Sequence, residues 1–303
     1  MCNVVVIPNV DRDERIGSVF NHLFRVIYQT EEIDDKDVVW DFKNASFFHP
    51  FFLAPLILYK NRSQKNIITT NRSSYLNRYF ELIYFDDLFS IDELSDLEKT
   101  LNPYYNKSYI PFCRFELCKS NVDGIQTIIQ NIIEIQSKAG KEIKTPLSYM
   151  LGELICNINE HSESKYGYIF SQCLSHKEKC LDICIADDGI TVFGSYVKTG
   201  KFLDEIKGNE AEALKLANKG YSTKNLPDIE NRGYGISTSK SMLVDGLNGG
   251  FFMLSGGAFH RHDSTGSDYV SLPKMMNWGG TIVLLRIPLF VPQNFNYMNY
   301  VIR

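Results

Sequence analysis

Several features that would narrow the function of this chain are missing. It carries no excess of positive charge: Lys plus Arg number 32 and Asp plus Glu 36, a net charge of -4. That balance offers no bulk attraction to nucleic acid or to an anionic bilayer, so no nucleic-acid partner is expected. No apolar run reaches the ~20 residues a membrane-spanning helix needs. The longest stretches, Phe47 to Tyr59 and Thr281 to Val291, are interrupted by His, Pro or Arg. No membrane partner is therefore expected. The first residues, MCNVVVIPNVDRDER, lack the basic start of a signal peptide. Seven cysteines, an odd number scattered through apolar contexts, read as reduced thiols of a cytoplasmic protein. There is no internal repeat and no low-complexity tract. What remains, with 44% apolar and 22% charged residues over 303 positions, is enough to build two folded cores.

The first hundred residues alternate strand and helix signals. Short β-branched or apolar runs at Asn3 to Ile7, Val38 to Phe42 and Asn66 to Thr70 predict strands. Ile16, Val19, Phe20, Leu23, Val26 and Ile27 recur at helical spacing. Helices are also predicted over Pro50 to Tyr59 and Ser73 to Leu82. Such a β-α-β-α-β-α order implies an α/β fold with a mainly parallel sheet. A polar stretch with two tyrosines, Ser95 to Ser108, breaks the rhythm and predicts two domains, 1–104 and 105–303. In the second, Ile110 to Cys118, Tyr166 to Cys173, Leu181 to Ala186, Gly250 to Ser255 and Thr281 to Pro288 predict strands. The spans Ile125 to Ile133, ended near Ala139-Gly140, and Leu147 to His161 predict helices, as does Gly235 to Val244. The long segment between Gly189 and Arg232 reads as a lid or binding loop.

Four short stretches carry candidate chemistry. In LGELICNINEHS, Glu153, Asn157, Glu160 and His161 share one helix face. Asn157 offers a neutral oxygen to a hard cation such as magnesium, and Glu153 can take a proton from water. In LDICIADDGI, Asp187 ends a strand, where a carboxylate can accept from an exocyclic amine such as that of adenine. Gly189 lets a flat ring approach the backbone. In GYSTKNLPDIENRGYGIS, Gly233 and Gly235 precede a helix whose N-terminus favours phosphate. Ser222, Thr223 and Lys224 add two hydroxyls and a cation. Finally, Gly279-Gly280-Thr281 opens a strand, with the Thr281 hydroxyl at its end. Each stretch taken alone also fits an ordinary amphipathic helix, a turn or a flexible loop.

The order of these four stretches resembles that of the GHKL ATP-binding superfamily of DNA gyrase, MutL, heat-shock chaperones, histidine kinases and anti-sigma-factor kinases. The resemblance covers about residues 110 to 290. It implies a two-layer α/β sandwich with Glu153 as the water-activating acid and Asn157 as the magnesium ligand. It implies Asp187 as the reader of adenine, Gly233 and Gly235 as phosphate-loop glycines, and Thr281 beside the adenine. One departure is visible: Thr191 stands where the family often has the last glycine of Asp-x-Gly-x-Gly. The N-terminal VVWDFKNASFFHPFFLAPLILYK resembles a STAS-like domain over about residues 1 to 90. That family's phosphorylatable Ser has no counterpart in Phe48-His49-Pro50-Phe51, and His49 reads as a capping or packing residue. The two resemblances imply ATP and magnesium as cofactors and a protein partner or a second copy as company in a signalling system. They leave open a magnesium-dependent ATPase or ATP-driven switch, a protein kinase acting on a partner, and a non-catalytic nucleotide sensor. The Lys that gyrase-like members take from a following domain has no counterpart before Arg303, which implies slow turnover or a site completed by a partner.

Other signals point elsewhere. GSYVKTGKF has five residues between its glycines, where a phosphate-binding P-loop needs four. Cys173, His176, Cys180 and Cys184 lack the close spacing of a zinc site. His260 and His262 in AFHRHD read as a solvated loop. The lysines between residues 198 and 224 are mixed with acids and read as a solvated surface.

Overall fold

The computed structural model describes residues 3–91, 99–117, 119–138, 141–175, 179–223 and 234–301. The chain divides into two compact units, one of Met1–Phe89 with Pro111–Cys113, the other of Ser90–Ile110 with Arg114–Arg303. Among the described residues, no helix is long and apolar enough to cross a membrane.

The first unit is built as its periodicities predict. Strands β1 (Val4–Val6), β2 (Asp37–Asp41) and β3 (Asn66–Thr70) alternate with helices α1 (Ile16–Glu31), α2 (Pro50–Arg62) and α3 (Ser74–Ile83). The strands pair in parallel in the order β1-β2-β3. Trp40 of β2 is fully buried. Its ring stacks on Tyr59 of α2 at 6.2 Å between centroids. Its Nε1–H donates to Thr30 Oγ1 of α1 (3.0 Å), and the Thr30 hydroxyl donates to the Val26 carbonyl (2.8 Å). The indole thus gains apolar burial without leaving its N–H unpaired. His49 is the N-cap of α2: it is buried, and its Nδ1 accepts the Phe51 N–H (3.1 Å). Pro50 follows at the first helical position, where a missing N–H costs nothing.

Most of the second unit is an eight-stranded sheet with helices, of which only Phe89 and Pro111–Cys113 are grouped with the first unit. Its strands are β4 (Phe89–Ile91), β5 (Tyr109–Glu116), β6 (Tyr166–Ser175), β7 (Lys179–Asp187), β8 (Gly250–Gly256), β9 (Ala258–Asp263), β10 (Gly266–Ser271) and β11 (Trp278–Pro288). They lie in the order β10-β9-β8-β11-β7-β6-β5-β4. From β10 to β6 each neighbour runs antiparallel to the next. Helices α4 (Lys119–Ser137) and α5 (Lys141–His161) precede the β6–β7 hairpin. The sheet centre is almost wholly buried, with β7 exposed only at Lys179 and β8 nowhere. Opposite Asp182 on β7 lies Arg286 on β11, which donates to both carboxylate oxygens at 2.8 and 2.7 Å. That bidentate pair satisfies a carboxylate with no exposed surface.

Two expectations change. The segment after Gly189 is not one loop. Its described part, to residue 223, folds as α6 (Val192–Thr199), α7 (Leu203–Ile206) and α8 (Glu210–Ala217). Tyr196, Ile206 and Ala213 form a small buried core there, packed by Phe193, Phe202 and Leu216. His260 and His262 lie on strand β9 rather than on a solvated loop. His260 is fully buried, its ring stacked on Tyr269 of β10 at 4.0 Å and its Nδ1 3.0 Å from the Asp268 carbonyl. Since a carbonyl only accepts, Nδ1 carries the ring proton.

Burial, with the positive charge of Lys240 nearby and against the pull of the Asp268 carbonyl, pushes the His260 pKa down to about 4. The unfolded chain takes up this proton near its ordinary value of 6.5. Stability is therefore full above that value and is lost as the pH falls from there towards 4, by about 3 kcal/mol. Urea midpoints of wild type measured across this range should fall with pH, and His260→Phe should flatten that part of the fall.

Candidate functional site

A cleft with about 810 Å³ of empty space, part of it open to solvent, lies between the C-terminal half of α5, the ends of the central strands and the segment after β7. Its helical wall is Leu154, Asn157, Ile158 and His161, which fall at i, i+3, i+4 and i+7 and so share one face of α5. Its floor is the sheet. Ile185 of β7 stands opposite Val283 of β11, which stands opposite Met253 of β8, and all three line the cleft. Beyond this apolar row lie Asp187 and Thr281 at the strand ends. The remaining wall comes from Thr191, Val192, Ser195 and Tyr196 and from residues 220–223.

Asp187 is 2% exposed. Its Oδ1 accepts the Gly189 N–H at 3.0 Å, which fixes the carboxylate at the end of β7. Two glycines make this geometry possible. A Cβ on Gly189 would stand 1.9 Å from the Ser162 carbonyl oxygen, because the chain after β7 passes directly over the end of α5 and Ile190 N–H donates to that carbonyl (2.7 Å). A Cβ on Gly280 would stand 2.3 Å from the Asp187 carbonyl oxygen and 2.9 Å from Oδ1, and Gly280 has a φ of +81°. Asp188, next in sequence, turns away from this role: it accepts from the Tyr168 hydroxyl (2.8 Å) and from Ser164.

Ser255 of β8 ties the start of the segment to the strand ends. Its Oγ accepts the Val192 N–H (2.9 Å), lies 3.0 Å from Thr281 Oγ1 and donates to the Gly280 carbonyl (3.2 Å). Thr191 is the N-cap of α6, its Oγ1 accepting the Gly194 N–H (2.9 Å). A glycine at this position would lose that cap.

The polar end of the cleft is joined by hydroxyls. Thr223 Oγ1 is 3.0 Å from His161 Nδ1 and 3.0 Å from Ser195 Oγ. The Tyr196 hydroxyl donates to the Tyr221 carbonyl, so the same segment is fastened twice. Asn157 presents a buried side-chain Nδ2 with no hydrogen-bond partner. Asn157 lines the cleft as well, and its carboxamide oxygen is the atom that could face a cation there.

Of the predicted site residues, Asn157, Asp187, Ser222, Thr223 and Thr281 line this one cleft. Gly189 supports it from behind Asp187. Glu153 and Gly235 are not among the lining residues but meet each other. A Cβ on Gly235 would stand 1.9 Å from Glu153 Oε2, so the carboxylate packs against the start of helix α9 (Tyr234–Ser241), one turn along α5 from Asn157. Burial, and then the charge of Glu153, raise the pKa of Tyr149 on the same helix. Lys224 and Gly233 lie outside the described residues. His161 was placed on the same helix face as Asn157 but given no separate role, and Ser195 and Tyr196 were not assigned from the sequence. His161 was detectable as the polar residue one turn beyond Asn157, whereas Ser195 has no motif to mark it.

Among the described residues, no three His, Cys, Asp or Glu side chains are grouped to hold a metal ion. A cation in this cleft would have Asn157 as its protein ligand and would take its other oxygens from a bound ligand and water, as magnesium does beside phosphates. No protein-family model matches the chain, and no curated protein matches its sequence.

Gly189→Ala is expected to cost at least about 3 kcal/mol, because its Cβ would collide with backbone rather than with a side chain that can turn away. Thermal unfolding checks this. A midpoint within a degree or two of wild type would show that the crossing over Ser162 is loose.

Proposed function

We propose that the cleft binds ATP with magnesium in the manner of the GHKL proteins and that the chain is an ATP-driven switch with hydrolytic capacity. The observation that carries this reading is convergence. Asn157, Asp187, Ser222, Thr223 and Thr281, drawn from four stretches spread over 125 positions of sequence (281 − 157 + 1), line one cleft. Ordinary turns and amphipathic faces have no reason to meet in this way.

The chemistry of each position fits the reading. Asp187, held by Gly189, can accept the exocyclic amine of adenine, and the apolar row Ile185, Val283 and Met253 gives the ring a flat surface. The Asn157 carboxamide oxygen suits the magnesium that would neutralise phosphate charge. Ser222 and Thr223 can donate to phosphate oxygens. Glu153 stands one helical turn from Asn157 and is the residue to orient and deprotonate water, provided its carboxylate leaves Gly235 for the cleft. Nucleotide seated under residues 220–223 would hold that segment down, and its loss would release it. This is the differential binding a switch needs. The N-terminal unit, read as STAS-like, then supplies a surface for a protein partner.

Calorimetric titration with a non-hydrolysable ATP analogue and magnesium tests the reading. Wild type should bind. Asp187→Asn and Asn157→Ala should each weaken binding by about 2 kcal/mol, roughly 30-fold, the worth of a hydrogen bond to a charged group. Glu153→Ala should bind as wild type does while its phosphate release from ATP falls roughly 100-fold or more. No heat of binding with wild type would overturn the nucleotide reading. Equal phosphate release from wild type and Glu153→Ala would remove Glu153 as the base.

A further inference from the structure

We propose that Thr223 is a phosphoryl acceptor within the chain, with His161 as the base that activates its hydroxyl. The proposal rests on the nucleotide reading of the same cleft, and it adds a covalent product to it.

The geometry points to this residue among the hydroxyls of the cleft. A threonine hydroxyl is a weak nucleophile and needs an adjacent base. Thr223 Oγ1 lies 3.0 Å from His161 Nδ1, within the reach expected of a nucleophile and its base. Ser195 Oγ also lies 3.0 Å from Thr223 Oγ1. With the imidazole proton on Nε2, the protons run one way: Ser195 donates to Thr223, and Thr223 donates to Nδ1. Thr281, by contrast, pairs with Ser255, and Ser195 reaches the imidazole through Thr223. His161 and Thr223 both line the cleft, on the same side as Asn157, one turn from His161 on α5. The magnesium-binding position and the acceptor hydroxyl therefore belong to the same end of the cavity, where the terminal phosphate of the nucleotide would lie.

The step balances without a further reactant. Thr223 Oγ1 forms a bond to the terminal phosphorus of ATP, and the bond from that phosphorus to the bridging oxygen breaks. The bridging oxygen keeps the electron pair and leaves as part of ADP, and the Thr223 proton passes to His161 Nδ1. Thr223 then carries about −1.5 to −2 of charge where it had a neutral hydroxyl. It can no longer donate to His161, so the fastening of residues 221–223 to α5 changes with the modification.

The test incubates the full chain with magnesium and ATP labelled on its terminal phosphate, then locates any label by peptide mapping. Wild type should acquire label at Thr223. Thr223→Val should acquire none there, Thr223→Ser should keep it, and His161→Gln should slow labelling roughly 100-fold or more. Circular dichroism establishes that each variant is folded. A simple structural clasp would leave no covalent label. Labelling at another residue only, or His161→Gln labelling at the wild-type rate, overturns the proposal. The same preparation is titrated with the non-hydrolysable analogue. If the analogue binds and Thr223 stays unlabelled, the transfer step is wrong and the nucleotide reading stands. If the analogue does not bind, both fall.

Discussion

The carboxylate of Asp187 sits at the end of a central strand with almost none of its surface in water. Removing a carboxylate from water costs several kcal/mol unless hydrogen bonds replace the lost solvent. The chain meets that constraint by turning sharply after β7, so that the Gly189 N–H points back at Oδ1. The turn fits only because Gly189 has no Cβ to strike Ser162 and Gly280 has none to strike Asp187. Everything around the cleft follows from this crossing. The end of α5 is held beneath the turn, α6 starts immediately after it, and Ser255 links that start to the end of β11. The walls of the cleft are thus positioned by the same few contacts that stabilise one buried charge.

This arrangement separates a rigid part from a fastened one. Floor and helical wall belong to buried strands and a long helix, whose side chains are locked by packing. The remaining wall is made of short helices with a small core of their own, joined to α5 by hydroxyl contacts through Thr223. A few hydrogen bonds, each worth about 1 kcal/mol net, can be exchanged for contacts to a ligand at little cost. A packed core cannot. A ligand that replaces those bonds can therefore be accommodated at the fastened wall without disturbing the floor.

Much of the fold was legible in the sequence because its periodicities are strong. The apolar spacing of Ile16 to Ile27 and the β-branched runs at residues 38–42 and 66–70 gave the βα order of the first unit directly. The second unit was read less completely. The β9–β10 hairpin escaped because Arg261, His262, Asp263 and Asp268 make its sequence polar, while His260 is buried by its cross-strand partner Tyr269 rather than by an apolar pattern. The three helices after Gly189 escaped because each is only eight residues or fewer, too short for helical spacing to stand out from loop composition. The site divides the same way. Asn157, Asp187 and Thr281 were visible because a helix face and two strand ends fix where they point. Ser195 and Tyr196 gained their positions, and His161 its Thr223 neighbour, only when residues 192–223 folded back over α5, a contact between distant segments that local spacing does not encode.

The most direct measurement of the account is a structure determined with a non-hydrolysable ATP analogue and magnesium. The account predicts the adenine amine at Asp187, the ring over Ile185 and Val283, and the metal on the Asn157 carboxamide with the terminal phosphate facing Thr223. An analogue bound away from this cleft, or seated in it with the phosphates at Asp187 and the base at Asn157, would contradict it.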